Sequence, residues 1–176
     1  TGVTTMFMAE GMDSGDMLLH APTAIEPEET SGELYNRLKL MGAELLVTTL
    51  EELQRGGLKR IPQNERDATY APMLKKEHSI IDWHRPAQWV HDQIRGLNPW
   101  PYAIVQHNGK RLKLLGSRIK DGGGVPGGLS CIDGELFVAC GKGQLCITEL
   151  QTENGKRMSG HDYLLGHPLK DGDCFE

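Results

Sequence analysis

Residues 102–119, YAIVQHNGKRLKLLGSRI, carry the clearest structural pattern in the sequence. Strand-forming residues lie on both sides of Asn108-Gly109, and an Asn-Gly pair is the strongest short signal for a β-hairpin turn. Further turns at Asp133-Gly134 and Gly141-Lys142-Gly143 extend the same pattern to residue 150. Five short strands in about 75 residues predict a small closed or partly closed barrel, and the OB fold is the best candidate.

Nearer the start of the chain, the sequence pattern changes from that of short strands to that of one long helix. Residues 1–8 and 17–19 are predicted strands, and a loop rich in glycine and aspartate separates them. Thr30 and Glu33 fit a capping box at the start of a helix. Leucines then recur at helical spacing until Gly56-Gly57 ends the run. The first part of the chain is therefore predicted to be strands plus a long amphipathic helix.

The segment between these two parts has no sustained periodicity and contains Pro62 and Pro72. We therefore predict an α+β protein with three parts: residues 1–56, a linker over residues 57–74, and residues 75–176 with the barrel. A short helix that begins near Pro86 and ends at Asn98-Pro99 is expected at the entrance of the last part.

Composition excludes several classes of protein. With 176 residues, 38% apolar and 24% charged, the chain is expected to form one or two folded domains. It contains no apolar run near the roughly 18 residues of a membrane span, and no signal segment opens it. The four cysteines form no C-x-x-C pair, and His161 and His167 match no standard ligand spacing, so we predict reduced thiols, a cytoplasmic protein and no metal site.

Charge is spread unevenly along the chain. The net charge is −5, yet no acidic residue occurs between Asp92 and Asp121. A cationic stretch of this kind can contact phosphates, although an ordinary solvated strand face explains the charge equally well. The candidates for nucleic-acid binding are Lys75, Lys76, Arg95, Lys110, Arg111 and Lys113.

Asp13 is the sharpest candidate for chemistry. It lies in the loop GMDSGDM, residues 11–17, where the flanking glycines give the exposure and the backbone freedom that a catalytic carboxylate needs. A turn-forming aspartate has the same pattern, so the residue type alone leaves both readings open.

Several blocks of residues together resemble the methionyl-tRNA formyltransferase family over essentially the whole chain. The most specific is the Asn-Pro-Trp-Pro block of residues 98–101, while the Ile-Asp-Trp signature of residues 81–83 also occurs in related hydrolases and sugar formyltransferases. The other blocks are TGVT at residues 1–4, the loop at residues 11–17, GKRM at residues 155–158 and GHPLK at residues 166–170.

The resemblance implies a fold and an activity. The expected fold is a remnant of a Rossmann-like formyltransferase domain, a linker and an OB-like barrel that binds tRNA. The expected reaction transfers a formyl group from 10-formyltetrahydrofolate to the amino group of methionyl initiator tRNA. By the same resemblance, Asp13 is the catalytic residue, and Gly11, Met12 and Asp13 contact the folate.

The resemblance also predicts what these residues lack. In the family a histidine and an asparagine serve the tetrahedral intermediate, and the aspartate tunes the histidine. The family's Asn-x-His and Ser-Leu-Leu-Pro motifs would lie upstream of Thr1, and neither occurs here. We therefore expect the 176 residues alone to be inactive and the parent enzyme to be a monomer. Residues 1–53 are expected to be unstable alone, to dimerise, or to depend on other parts of the protein. The alternatives are a separate tRNA-binding or other nucleic-acid-binding module, or a formyltetrahydrofolate hydrolase or sugar formyltransferase domain.

Overall fold

A computed structural model describes all residues from 1 to 176. The chain divides into two compact units, Thr1–Met73 and Leu74–Glu176, and each is described by itself. The mixture of helix and sheet that the sequence predicts is confirmed. None of the helices is long and apolar enough to span a lipid bilayer.

The first unit is built on one antiparallel strand pair and one long helix. Strands β1 (Gly2–Met6) and β2 (Met17–Pro22) pair directly, and helix α1 (Ser31–Gln54) packs on both. The predicted capping box is confirmed. The Thr30 hydroxyl accepts from the Glu33 N–H at 3.3 Å, and the Glu33 carboxylate accepts from the Thr30 N–H at 2.8 Å. These bonds satisfy two amides that the helix itself leaves unpaired.

Helix α1 has two different faces. On the face toward the strands, Gly42 lies against Val3, and the buried Thr49 hydroxyl is 2.9 Å from that of Thr5. Away from that contact the helix carries a row of apolar side chains, each more than half exposed: Leu40, Leu46, Val47 and Leu50. Large apolar side chains are usually removed from water, so this row is an uncovered surface.

Of the predicted linker, residues 57–74, all but Leu74 belong to the first compact unit. Ile61 exchanges two backbone hydrogen bonds with Met17, at 2.8 and 2.9 Å, and therefore extends the strand pair by one isolated bridge. Arg60 pairs with Asp16 at 2.9 Å and lies over the Phe7 ring. A short 3₁₀ turn follows at Glu65–Asp67. Backbone pairing of this type needs no side-chain periodicity, so the sequence pattern does not reveal it.

The second unit is a six-stranded antiparallel sheet with two helices. The turns at Asn108-Gly109 and Asp133-Gly134 have positive φ at both residues, which confirms these two predicted hairpins. One more strand forms than the five predicted, at Arg157–Ser159, and it pairs with the strand Gln144–Thr152. The strands are β3 (Ala103–His107), β4 (Lys110–Lys120), β5 (Leu129–Ile132), β6 (Glu135–Ala139), β7 (Gln144–Thr152) and β8 (Arg157–Ser159).

The core of the second unit lies between the sheet and its helices. Helix α2 (Ala87–Gly96) packs on β4 and β7, and helix α3 (Gly160–Gly166) packs on β6, β7 and β8. Val90 and Ile94 of α2 are completely buried, as are Leu114 and Leu150 of the sheet. One continuous apolar cluster therefore connects the helices with the strands.

The sheet is open in its strand pairing, since its edge strands β3 and β5 do not pair with each other. Residues 173–176 lie between the two edges. On one side Leu129 donates to the Asp173 carbonyl, and Phe175 donates to the Gly127 carbonyl, both at 2.9 Å. On the other side Glu176 exchanges two backbone bonds with Gln106, at 2.8 and 3.0 Å. The strands themselves thus form no closed barrel, because residues 173–176 lie where the edge strands β3 and β5 would have to pair.

Candidate active site and nucleic-acid interface

The loop between β1 and β2 forms a concave surface around Asp13. A cavity of about 400 Å³ is lined by residues 6–15, which include Gly11, Met12 and Asp13. Asp13 is exposed and has φ of +53°, a left-handed conformation that aspartate adopts more readily than most residues. The predicted catalytic residue and the predicted folate contacts therefore lie in one cavity.

Close packing and side-chain bonds hold this loop in place. Gly15 is buried, and a Cβ at this position would collide with the Phe7 carbonyl oxygen, so the backbone approach requires glycine. The Ser14 hydroxyl donates to the Gly11 carbonyl at 2.9 Å. The Gln63 side-chain amide donates to the carbonyls of Asp13 and Gly15, each at 2.7 Å. A close backbone approach, a bond within the loop and a side chain from outside it thus fix the path of the loop.

Histidine is not among the residues that line the Asp13 cavity. His20 is the single histidine of the first unit, and on β2 it lies opposite Thr4 within the strand pair. The chemistry available at the cavity from these residues is therefore that of one exposed carboxylate. It can accept hydrogen bonds and supply negative charge to a neighbouring group.

The predicted cationic residues are distributed over several elements of the second unit. Arg111 and Lys113 alternate with the buried Leu112 and Leu114 on β4, so both point to the outer face of the sheet. The Lys113 ammonium lies 4.9 Å from the centre of the Tyr102 ring. These two cations share one solvent-facing surface, which the sequence alone could not establish.

The remaining predicted cations lie elsewhere. Lys75 and Lys76 are exposed at the 3₁₀ turn Lys76–Ser79, and Lys110 is exposed beside the β3–β4 turn. Arg95 on α2 pairs with Asp92 at 2.7 Å, and this pairing neutralises part of its charge. The structure therefore brings together Arg111 and Lys113 but does not gather all six residues on one strand face.

Sequence reasoning missed two residues that the structure places beside the candidate sites. In the sheet register Lys113 is opposite Gln151, which is opposite Arg157, so Arg157 shares the outer face with Lys113. Gln63 contacts the Asp13 loop from a segment that we interpreted as a linker. The GKRM block contains Arg157, but only the strand register reveals its neighbours.

Two of the four cysteines, Cys140 and Cys146, are buried, and the other two, Cys131 and Cys174, are exposed. All four are free, and burial raises the pKa of the Cys140 thiol to about 11. The structure contains no cluster of three or more metal-ligating side chains. The structure therefore assigns no chemistry to these thiols.

Two family comparisons cover most of the chain. The family described as formyl transferase, C-terminal domain, matches residues 73–168, and the family described as formyl transferase matches residues 1–50. The methionyl-tRNA formyltransferase of Pelobacter propionicus is 47% identical over 98% of this chain and 54% of its own length. That of Trichlorobacter lovleyi is 46% identical over 96% of this chain and also 54% of its own length. The chain thus spans about half the length of these relatives.

A solved structure has the same fold at low sequence identity. HypX from Aquifex aeolicus in complex with tetrahydrofolic acid aligns with a TM-score of 0.69 and 20% identity, over 99% of this chain and 33% of that protein. The sequence match over both regions and this fold agree with the resemblance drawn from the Asn-Pro-Trp-Pro block. The chain belongs to the formyl transferase family.

Proposed function

We propose that this chain is part of a methionyl-tRNA formyltransferase, which transfers a formyl group from 10-formyltetrahydrofolate to the amino group of methionyl initiator tRNA. The main support is the 47% identity to an enzyme of that name over 98% of the chain. Asp13, exposed in a cavity of about 400 Å³, is the proposed catalytic carboxylate. Gly11 and Met12 are the proposed folate contacts beside it.

The chemistry of formyl transfer explains why one carboxylate is insufficient for catalysis. Attack of a neutral amine on a formyl group builds an oxyanion, which needs positioned donors, and a proton must pass from the amine to the departing folate nitrogen. Asp13 can supply the charge that favours a protonated imidazole. The imidazole and the oxyanion donor come, in this proposal, from the parent protein outside these 176 residues, so the segment alone is inactive.

The outer face of the second unit is the proposed contact for tRNA phosphates. Arg111, Lys113 and Arg157 share this face, and guanidinium and ammonium groups bind phosphates through charge and hydrogen bonds. Lys75, Lys76, Lys110 and Arg95 are additional proposed contacts. With a charged tRNA as the acceptor, the cytoplasm is the proposed compartment and a monomer the proposed state.

The full-length parent protein carrying Asp13→Asn tests the catalytic proposal. We expect kcat for formyl transfer to fall at least about 100-fold, the lower range for losing a group that acts on proton transfer, with an unchanged melting temperature. Glu44→Gln on α1 is the matched control, since it also removes one exposed acid of the first unit, and should keep full activity. Near-normal turnover of Asp13→Asn would remove this residue from the catalytic set. Measurable transfer by residues 1–176 alone would contradict the proposed incompleteness.

Binding of initiator tRNA at several salt concentrations tests the proposed interface. The affinity falls as salt is added, and each lost phosphate contact should make this fall less steep. The slope of log affinity against log salt should become shallower by about one for each of Arg111→Gln, Lys113→Gln and Arg157→Gln. Arg55→Gln, whose guanidinium pairs with Glu52 on α1, should leave the slope unchanged. Binding with no salt dependence would exclude phosphate contacts. A formylation assay that compares tRNA, water and an amino sugar as acceptors separates this proposal from the hydrolase and sugar formyltransferase alternatives.

A further inference from the structure

We propose that Gln63 is a positioning residue for the reaction, because its side-chain amide holds the loop that carries Asp13 in the conformation that directs the carboxylate. This inference rests on the proposed function, since it assigns to Gln63 an effect that acts through Asp13. Gln63 itself is not proposed to touch the substrate or the folate.

The geometry of the contact is specific. The Gln63 amide nitrogen has two hydrogens, and it lies 2.7 Å from the Asp13 carbonyl oxygen and 2.7 Å from the Gly15 carbonyl oxygen. One side chain therefore satisfies two backbone acceptors on both sides of Ser14. The same nitrogen is 3.8 Å from the Met6 sulfur at the end of β1, so Gln63 also contacts the strand from which the loop begins.

Gln63 can hold the loop because its own segment is held. Ile61 is fixed to Met17 by two backbone bonds, and Arg60 is fixed to Asp16 by an ion pair of 2.9 Å. Both anchors lie at or next to the start of β2, directly after the loop. The loop thus has the strand pair on one side and this anchored segment on the other.

The backbone at Asp13 is the reason why such support matters. Asp13 has a left-handed backbone conformation, which is unfavourable for a residue other than glycine and persists where the surroundings support it. The bond to the Asp13 carbonyl orients the peptide between residues 13 and 14 and so helps to fix the Cα–Cβ bond from which the Asp13 carboxylate extends. Without the Gln63 donors, the loop can relax to conformations that move the carboxylate.

Displacement of a catalytic group by about 1 Å can lower a rate by roughly 100-fold. We therefore expect loss of the Gln63 donors to lower kcat while the KM for tRNA stays unchanged, since the proposed phosphate contacts belong to the second unit. A role limited to stability would instead lower the amount of folded enzyme and leave kcat per folded molecule unchanged.

The test uses the full-length parent protein with Gln63→Met, which has a similar length but no donor, and Gln63→Glu, which has the same shape but only acceptors. Both should lower kcat by about 10- to 100-fold with the KM for tRNA within about twofold of the parent. Asn64→Ala is the matched control, since it removes a side-chain amide that bonds to Asp67 and to the Arg66 N–H instead of the loop. This control should keep the parent kcat.

A double-mutant cycle distinguishes positioning from a general structural role. If Gln63 acts through Asp13, Gln63→Met should cause no further loss of kcat in an Asp13→Asn background. Losses that multiply would overturn the proposal. Full activity of Asp13→Asn would refute the proposed function of Asp13 and, with it, the assignment of Gln63 to the reaction.

Amide hydrogen exchange tests the holding of the loop independently of activity. The amides of Phe7 and Met17, which donate to the Asp16 and Ile61 carbonyls at the two ends of the loop, should exchange about tenfold faster in Gln63→Met than in the parent, because the loop between them loses two hydrogen bonds. Amides of α1 should exchange at the parent rate. Unchanged exchange in the loop would overturn the claim that Gln63 holds it, even if Asp13→Asn is inactive.

Discussion

The two compact units differ in how completely they bury their own apolar residues. The second unit has a continuous buried cluster that joins α2, α3 and the sheet. In the first unit Leu18 is the one large apolar side chain that is buried, and α1 exposes a row of leucine and valine side chains. Both units nevertheless contain strongly predicted helices and strands. Regular secondary structure is therefore no measure of how much apolar surface a unit removes from water.

The two units should therefore depend differently on their surroundings. Burial of apolar surface is the dominant favourable term in folding, and it must exceed the conformational entropy that folding removes. The second unit meets this requirement with its own residues. We expect the first unit to depend on something that covers the exposed face of α1.

The largest expected effect appears when the units are expressed separately. Residues 74–176 should unfold cooperatively on heating, because their core is complete. Residues 1–73 should show no cooperative transition or should self-associate through the exposed face of α1. Circular dichroism and sedimentation measure both properties. A monomeric first unit with protected amides along α1 would contradict the expected difference between the two units.

Two leucine substitutions in the full chain compare a buried position of the second unit with an exposed position of the first. Leu114→Ala removes a fully buried side chain of β4 and should lower the free energy of unfolding of the second unit by about 2–5 kcal/mol. Leu46→Ala removes a side chain of α1 that is 52% exposed, and should change the free energy by less than about 0.5 kcal/mol. Urea unfolding measures both values. A large loss from Leu46→Ala would indicate that the face of α1 is covered in solution.

The helix cap provides a smaller effect that is confined to the first unit. Thr30→Ala removes the capping hydroxyl of α1 and should destabilise that unit by about 1 kcal/mol. Thr48→Ala is the matched control, because Thr48 lies in the middle of the helix and bonds back to the Glu44 carbonyl. This control should be neutral or slightly stabilising, since alanine has the higher helix propensity. Thermal unfolding that shows equal losses for both variants would exclude a capping effect.

The smallest effect concerns the acid stability of the second unit. The Lys170 backbone N–H donates to the Asp173 carboxylate at 2.9 Å, and this bond, with a smaller contribution from His107, holds the pKa of that carboxyl below its usual value. A lowered folded-state pKa adds stability above the unfolded-state pKa, and that stability is lost as the pH falls through the lowered value. On acidification, Asp173→Asn should therefore lose less stability than the parent. Asp171→Asn serves as the control, and an equal acid dependence in the parent and in Asp173→Asn would contradict the assignment.

Features set by neighbouring residues could be predicted from the sequence. The capping box at Thr30, the extent of α1 and the turns at Asn108-Gly109 and Asp133-Gly134 each depend on a few consecutive residues. The loop around Asp13 was also apparent, because glycine and aspartate at this density are typical of a tight exposed turn.

Features that depend on distant residues could not be predicted in the same way. Gln63 is 50 residues from Asp13, and no local pattern shows that its amide bonds to that loop. Gly116 within β4 is typical of a bulge, but the register shift that it accompanies depends on the pairing with β7. The shared face of Lys113 and Arg157 likewise follows from two successive strand registers. Periodicity describes one element at a time, whereas each of these features joins elements.

The short segment at residues 173–176 has a consequence for the solubility of the second unit. An unpaired strand edge is a template on which other chains can add a strand. By bonding to Gln106 of β3 on one side and to Leu129 of β5 on the other, this segment covers part of two such edges at once, and Ile80 bridges Ile104 of β3 as well. Protection against intermolecular β-sheet growth is thus concentrated in a few residues, and a substitution that detaches them should cause aggregation before it unfolds the sheet.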